Sequence, residues 1–485
     1  MMLTKATMAD YPELLTHYRQ VCASMEAGGL KQWHWGQYPN DDIVRKDVEN
    51  GDLYILREEG KLLCAVAVNR KFDKEYEGVN WLFGVKPGAF HRLAISPDAQ
   101  GRGLGRKLMA EILDMLCAMG CDSLRCDTYI DNARALHLYE SLGMRRCGEV
   151  YFEGEGEGKP YPALEMPLTG DCPLLPLRMH PAFRGGKLTP WGGEKLRTVY
   201  GKPIADVPTG ESLEISCIPG LESTDDVGVK LTDLIAKYGA AFAGQYADKT
   251  FPLLLKLIDA SESLSVQVHP DDSYAGKHEN GKLGKTEAWL ILDAPEGSQL
   301  VYGIQPGTTL EELRAACEKG AAVEPLLRRV DVKPGDVCFI PAGCVHAIGA
   351  GIMLYEIQQS SDVTYRFYDW DRVDKNGNRR ELHLDKALDV TDLTFSLGPI
   401  PAGEEPVARV LDEEYFTLDL FHVDGEAQLP AVKDFGMLTS LEGEIALCWE
   451  GGQMLLKKGE SLYIPASAPA LTLAGKGRAA LSMAQ

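Results

Sequence analysis

Near residue 170 the hydrophobic pattern of this 485-residue chain changes period, and that change limits what it can fold into. Before it, strand-like apolar runs alternate with amphipathic helical ones. Residues 61–69 and 89–95 read as strands, 102–119 as a helix, 123–129 as a strand and 132–142 as a short helix. Such a βαβα succession builds an α/β sheet. After about residue 250 the chain reads as short apolar strands broken by Gly and Pro, with a helical insertion near 308–319. That is the pattern of a sandwich or barrel. The Gly/Glu/Pro run at 153–162 propagates neither helix nor central strand and reads as a hairpin loop inside the first part. The turn residues Thr169-Gly-Asp-Cys-Pro173 make the better boundary.

Composition narrows the function classes. Lys+Arg total 50 against 71 Asp+Glu, a formal charge of −21, so no nucleic acid and no anionic membrane is expected as a partner through bulk charge. The start carries no apolar leader and no run of 18 apolar residues exists, so a soluble cytoplasmic protein is expected, its 12 cysteines mostly free thiols.

Two stretches carry chemistry. In the first, the strand ending Leu93-Ala-Ile95 leads into Gln100-Gly101-Arg102-Gly103-Leu104-Gly105-Arg106 and a helix. Glycines let backbone approach an anion without Cβ clash, and a helix start favours negative charge. The dinucleotide spacing Gly-x-Gly-x-x-Gly is absent, and a plain flexible turn has the same letters. The second stretch has three pieces. Alternation in Ser265-Val-Gln267-Val-His269 puts the polar residues on one strand face and the valines on the other. Lys285-Thr-Glu287-Ala-Trp289 heads another strand. Gly335-x5-Pro341-Ala-Gly343-Cys-Val-His346 is the third. Two His, a Glu and a Gln suit Zn²⁺ with a position open for substrate, and suit Mn²⁺, Fe²⁺ or Co²⁺ as well. The spacing Gly335-x5-Pro341 returns as Gly459-x5-Pro465, where Ala470 stands in place of the His.

The first stretch, with Asp131-Asn132-Ala-Arg-Ala-Leu-His-Leu-Tyr139-Glu-Ser-Leu-Gly143 downstream, resembles the GCN5-related N-acetyltransferases (GNAT) over residues 3–168. The resemblance implies acetyl-CoA as cofactor and an amine as acceptor. It implies that backbone of Leu93 and Ile95 pairs with the pantetheine arm and that N–H groups of Gln100, Gly101, Arg102, Gly103, Leu104, Gly105 and Arg106 hold the pyrophosphate. Asn132 would contact the cofactor and Tyr139 would protonate the leaving thiolate. The base stays open among Glu149, His91 and ordered water, and His34 between Trp33 and Trp35 is a candidate for the acceptor pocket.

The third piece resembles the second cupin motif. Together with Trp191-Gly-Gly193, Gly210-Glu211-Ser-Leu-Glu214, Phe251-Pro-Leu-Leu-Leu-Lys256 and the run from Tyr355-Glu356 to Arg366 and Arg372, it is similar to the type I mannose-6-phosphate isomerases over residues 174–485. An aromatic is expected where Leu213 stands. This resemblance implies one Zn²⁺ on Gln267, His269, Glu287 and His346, with Lys285, Glu356 and Arg366 at a hexose 6-phosphate. Arg366 would steady developing negative charge, Glu356 or Lys285 would be the base, and Ser265 and Lys256 are further phosphate candidates. Glu211 and Glu214 read as structural. The expected whole is a multidomain enzyme: a GNAT α/β fold (1–170), a metal-binding cupin-like catalytic domain (171–394) and a degenerate cupin-like β domain (395–485), the last two forming a mainly-β double barrel with helical insertions. Another reading keeps the folds but makes the second part a sugar-phosphate-binding cupin and the first an acetyl-CoA sensor.

Overall fold

The computed structural model describes residues 2–205, 207–373 and 377–485. The chain divides into two compact units, Met1–Leu177 with Cys448–Met454 and Ser467–Ala470, and Arg178–Leu447 with Leu455–Ala466 and Leu471–Gln485.

The first unit is built on a seven-stranded sheet in the order Thr4–Lys5, Leu53–Glu58, Lys61–Asn69, Pro87–Ile95, Ser123–Asp127, Tyr161–Pro167, Arg145–Val150. Only the pairing of Pro87–Ile95 with Ser123–Asp127 is parallel among the described strands of this sheet. The helix Leu104–Ala118 lays Leu104, Leu108, Ile112 and Leu116 on one face of the sheet, an i, i+4 stripe that meets Leu124, Cys126 and Leu164. The helices Tyr11–Ala27 and Asp41–Glu49 cover the other face through Leu14, Tyr18, Val21, Val44 and Val48. The run expected at 153–162 is a hairpin loop through residue 160, and its last two residues already belong to Tyr161–Pro167, which returns to the same sheet.

The parallel pairing stops early. Its register runs Pro87↔Ser123, Gly88↔Leu124, Ala89↔Arg125, although the first strand continues to Ile95. Arg92 takes φ +52°, and the register against Lys61–Asn69 slips between Ala65 and Ala67. This is a β-bulge at a non-glycine residue, a conformation that costs about 1–3 kcal/mol and persists where surrounding contacts fix it. Those contacts are the Asp47 carboxylate, which accepts from Nε at 2.8 Å and Nη2 at 2.9 Å, and the Tyr38 hydroxyl at 3.0 Å.

In the second unit two sheets enclose one apolar core. The larger runs Ile400–Pro401, Asp336–Ile340, Glu287–Asp293, Met353–Gln359, Leu253–Asp259, Thr209–Ile215, Ala182–Gly185. The smaller runs Leu327–Asp331, Gln299–Ile304, His346–Ala347, Val266–Val268, Tyr365–Tyr368. Trp289, Ile291, Leu354, Leu300, Tyr302 and Ile348 fill that core. The helices Leu310–Cys317 and Leu384–Val390 pack with Val266, Val268 and Val301, on the other side of the smaller sheet. A further sheet contains Val407–Asp412, Phe416–Gln428, Thr472–Ala484, Phe435–Trp449 and Ser461–Pro465. The fold class is thus a GNAT-type α/β unit followed by mainly-β cupin-type sheets with helices inserted. Leu213 is fully buried on its strand.

Candidate functional site

Sheet register brings the metal-ligand candidates together. Gln267 lies opposite His346 in the ladder, and His269 follows the same strand. Val266 and Val268 face the opposite way, into the apolar cluster under the helices. Glu287 opens its strand between Ile340 and Gln358. The result is a buried cluster in which ligand atoms of His269, Glu287 and His346 all lie within 4.8 Å of one another.

The histidines are aimed by backbone. His269 Nδ1 meets Val363 O and His346 Nδ1 meets Cys344 O, each at 2.9 Å. A ring that donates from Nδ1 keeps its Nε2 lone pair free, the arrangement a metal ligand needs. Those Nε2 atoms lie 3.4 Å and 3.7 Å from the Glu287 oxygens. Neither Glu287 oxygen makes a well-formed hydrogen bond, although the residue is 1% exposed and forms an ion pair with Lys285. A carboxylate set between two imidazole Nε2 atoms, with the Lys285 ammonium against it and 3.2 Å from His269 Nε2, is a donor set that a divalent cation can take. Gln267 Nε2 is 3.3 Å from His346 Nε2, and turning the amide over would offer its oxygen instead. The residues therefore fit a metal. Burial, then Lys285, pushes His269 down to about 3, and burial also lowers His346, so both rings stay neutral ligands at pH 7. Burial works against ionising Glu287, yet Lys285 and His269 outweigh it and hold its carboxyl well below the usual range. Cys338 and Cys344 are buried thiols outside this donor set.

Gln267 and Lys285 reach from the cluster into a cavity of ≈ 320 Å³. Its walls carry Lys256, Ser265, Glu356 and Arg366, so the candidates named from sequence share one cavity. Glu356 is 3% exposed, accepting from Lys256 Nζ at 3.0 Å and Trp289 Nε1 at 2.9 Å. Burial, then Glu287, raises its pKa against the pull of Lys256. Arg366 Nε donates to Ser265 Oγ at 3.2 Å, and Nη1 to Glu381 O at 2.7 Å. Sequence reasoning missed Arg184, Trp289 and Arg380, which also line the cavity, and took Glu211 as structural although it lines the cavity too. For Trp289 a signal existed, since period two places it on the face of Glu287. Arg184 and Arg380 had none. Glu214 lies elsewhere in the unit, fully buried with Lys202, Ser212 and Ser461.

In the first unit the Gly-rich stretch leads into the helix Leu104–Ala118 through Gly101 and Gly103, both at φ above +70°. No side chain caps that helix, no acid stands in its first turn, and Arg106 and Lys107 do. Cations there oppose the helix dipole unless an anion joins them. Arg102 meanwhile pairs with Glu58 at 2.7 Å and Arg106 bonds Ser141 Oγ at 2.8 Å. A Cβ on Gly105 would lie 2.9 Å from Leu138, so this glycine serves helix packing. Ser96 N–H returns to Leu63 O, so by alternation Leu93 and Ile95 turn their polar groups to the unpaired side. The Gln100 amide bonds Ile95 O at 3.3 Å. Tyr139 is 5% exposed, edge-on to Phe90 at 5.5 Å. Asn132 accepts from Ala135 N–H as a helix cap and donates to Gln32. Of the base candidates, His91 bonds Lys71 O and Glu149 holds the exposed Tyr151 hydroxyl. His34 pairs with Glu26 at 2.8 Å.

Comparison with known proteins agrees with this division. Residues 15–144 match the acetyltransferase (GNAT) family, residues 190–287 the catalytic domain of type I phosphomannose isomerase, and residues 408–484 the cupin domain of mannose-6-phosphate isomerase. Mannose-6-phosphate isomerase ManA of Bacillus subtilis is 39% identical over 299 residues, 60% of this chain and 93% of its own length. The crystal structure of the mannose 6-phosphate isomerase from Bacillus subtilis superposes with TM-score 0.59 at 35% identity, covering 64% of this chain and 99% of that one. The mycothiol acetyltransferase of Beutenbergia cavernae is 46% identical over 56 residues, 12% of this chain and 19% of its own length. No helix of the described residues is long and apolar enough to cross a membrane. On these matches the chain belongs to the type I mannose-6-phosphate isomerase family and carries a GNAT-family acetyltransferase domain ahead of the isomerase fold.

Proposed function

We propose that this is a bifunctional enzyme. Residues 174–485 interconvert mannose 6-phosphate and fructose 6-phosphate with one Zn²⁺ held by Gln267, His269, Glu287 and His346. Residues 3–168 transfer the acetyl group of acetyl-CoA to an amine. The observation that carries the first half is the His269–Glu287–His346 cluster beside a cavity lined by Lys256, Lys285 and Arg366. A metal bound there supplies a Lewis acid for the substrate carbonyl. Isomerisation moves a proton between C2 and C1 through an enediol. Glu356, oriented by Lys256 and Trp289 and biased toward accepting a proton, takes it from one carbon and returns it to the other. Lys285 donates toward the sugar oxygens, and Arg366 steadies the negative charge that develops on them. Ser265, Lys256 and Arg366 present cationic and hydroxyl donors to the phosphate. The test is conversion of mannose 6-phosphate by the purified chain before and after chelation. Activity lost with EDTA and restored by Zn²⁺ is expected. A metal-loaded protein inactive on both hexose phosphates sinks the reading.

The uncapped helix behind Gly101 and Gly103 supports the acetyl half, with Tyr139 as proton donor to the departing thiolate. Tyr139→Phe is expected to slow acetyl-CoA-dependent transfer by about 10²–10⁴-fold, the usual range for a general acid, while isomerisation is unchanged. The eight buried cysteines are free thiols, which supports a reducing compartment such as the cytoplasm.

A further inference from the structure

In the larger sheet of the second unit the strands Ala182–Gly185, Thr209–Ile215, Leu253–Asp259, Met353–Gln359 and Glu287–Asp293 lie side by side in that order. Register puts one polar residue of each on the same face. Arg184 lies opposite Glu211, Lys256 opposite Glu356, and Glu356 opposite Trp289. Glu211 lies opposite Ile258, two residues from Lys256, so Glu211 and Lys256 are diagonal neighbours on that face. All five line the ≈ 320 Å³ cavity. Their side chains form a single file. Arg184 Nη1 donates to Glu211 Oε2 at 3.3 Å. Lys256 Nζ stands 3.5 Å from Glu211 Oε1 and donates to Glu356 Oε1 at 3.0 Å. Trp289 Nε1 donates to Glu356 Oε2 at 2.9 Å.

Each carboxylate oxygen in the file thus has a partner of its own, and the two glutamates share one ammonium. Lys256 is 5% exposed, and its strand lies between those of Glu211 and Glu356, so the two carboxylates hold it from opposite sides. Two of its three N–H groups are committed, one to each. Among the described residues it forms no other ion pair. Burial opposes ionising Glu211, yet Lys256, then Arg184, outweigh it and hold its carboxyl below the usual range, so its pull on the ammonium persists. Without that pull the ammonium would answer to Glu356 alone. A charge on a flexible four-carbon stem moves when it is attracted from one side only. Catalysis tolerates little motion of that kind: a misplacement of about 1 Å costs about 10²-fold.

We infer that Glu211 is a positioning residue of the isomerisation: it holds the Lys256 ammonium from the side away from Glu356 and so fixes where the Glu356 carboxylate stands, while Arg184 holds Glu211 in turn. This rests on the isomerase reading, in which Glu356 carries the proton between C1 and C2. Neither Glu211 nor Arg184 exchanges a proton with the sugar. Lys256 and Trp289 each take one lone pair of a different Glu356 oxygen, and the remaining lone pairs stay free for the substrate proton. The signs alternate along the file, so every inner charge is held from both sides. Arg184 is the outermost member, on the terminal strand of the sheet with its side chain 28% exposed, and Glu211 is the carboxylate it pairs with.

The test is steady-state isomerisation of mannose 6-phosphate by the zinc-loaded full chain and its variants. Glu211→Gln keeps the shape and removes the charge. It is expected to lower kcat about 10–100-fold with KM changed by no more than about twofold. Arg184→Met should lower kcat about tenfold, and Arg184→Lys should restore most of that loss. Because Arg184 acts through Glu211, the double variant Arg184→Met/Glu211→Gln should be no slower than Glu211→Gln alone. Bound zinc equal to that of the wild type shows that a variant is folded. If Glu211→Gln fails that standard, Arg184→Met, which leaves both carboxylates on Lys256, carries the same test. A Glu211→Gln enzyme with wild-type kcat, or with a loss confined to KM, overturns the inference while leaving the isomerase reading standing. Losses that multiply in the double variant place Arg184 on the substrate and overturn its role here. A wild-type chain inactive on both hexose phosphates overturns the isomerase reading itself.

Discussion

Near the isomerase cavity each buried carboxylate has a cation beside it: Glu356 has Lys256, Glu287 has Lys285, and Glu211 has Arg184 and Lys256. In the acetyltransferase unit Asp127 accepts from the Tyr76 hydroxyl, and among the described residues no lysine or arginine forms an ion pair with it or with Glu155. The first arrangement balances its own charge before substrate arrives, so it suits a reaction that moves a proton within one bound sugar. The second has no cation beside it, so its carboxyls are pushed toward the protonated form. Buried acids are therefore no single signature, because the nearest base decides what they are for.

Substitutions should separate the two arrangements. His346→Ala removes a ligand from the cluster and should cost about 10⁴-fold in isomerase kcat/KM, the several kcal/mol a Lewis acid supplies. Bound zinc, measured by elemental analysis, should fall with it while acetyl-CoA binding is unchanged. Lys256→Met leaves Glu356 without its cation and Glu211 with Arg184 alone, and breaking a buried pair from one side costs about 3–5 kcal/mol. Denaturant unfolding of the second unit should shift by that amount, and no shift would show the pairs to be dispensable. In the acetyltransferase unit the sign reverses. Burial, then Asp73, lifts Asp127 to about 6 from the 3.8 of an exposed acid, against the Tyr76 hydrogen bond. An acid raised on folding contributes stability below its unfolded pKa and loses it as pH rises through the folded value. The first unit should thus unfold a few degrees higher at pH 5 than at pH 8. Asp127→Asn, which keeps an acceptor for Tyr76, should flatten that slope and stabilise at pH 8 by about 1–2 kcal/mol. A wild-type melting temperature that rises with pH across this window would contradict the picture.

What was legible in the sequence follows from how each site is made. The metal candidates sit on strands where alternation and the His-Pro and Gly-x5-Pro spacings fix side-chain direction, so Gln267, His269, Glu287 and His346 were readable one segment at a time. The turn before the helix Leu104–Ala118 is mostly backbone, and Gly101 and Gly103 are its trace. Arg184 and Arg380 were not readable, because each comes from a separate segment and reaches the cavity only through strand order. The file that runs from Arg184 to Trp289 was hidden for the same reason, since its five residues come from five strands that only the sheet order makes neighbours. The bulge at Arg92 was equally silent, since no local rule asks an arginine for a positive φ.

That bulge also has a colloidal consequence. By ending the parallel ladder at Ala89, it leaves the backbone of Leu93 and Ile95 as a bare margin inside the sheet. Unpaired strand margins are where chains stick to one another. Gln100 covers one carbonyl of this one, and a pantetheine arm lying along it would cover more. Such a ligand then acts as a stopper against self-association, and shelf life in solution becomes a property of how much of it is present.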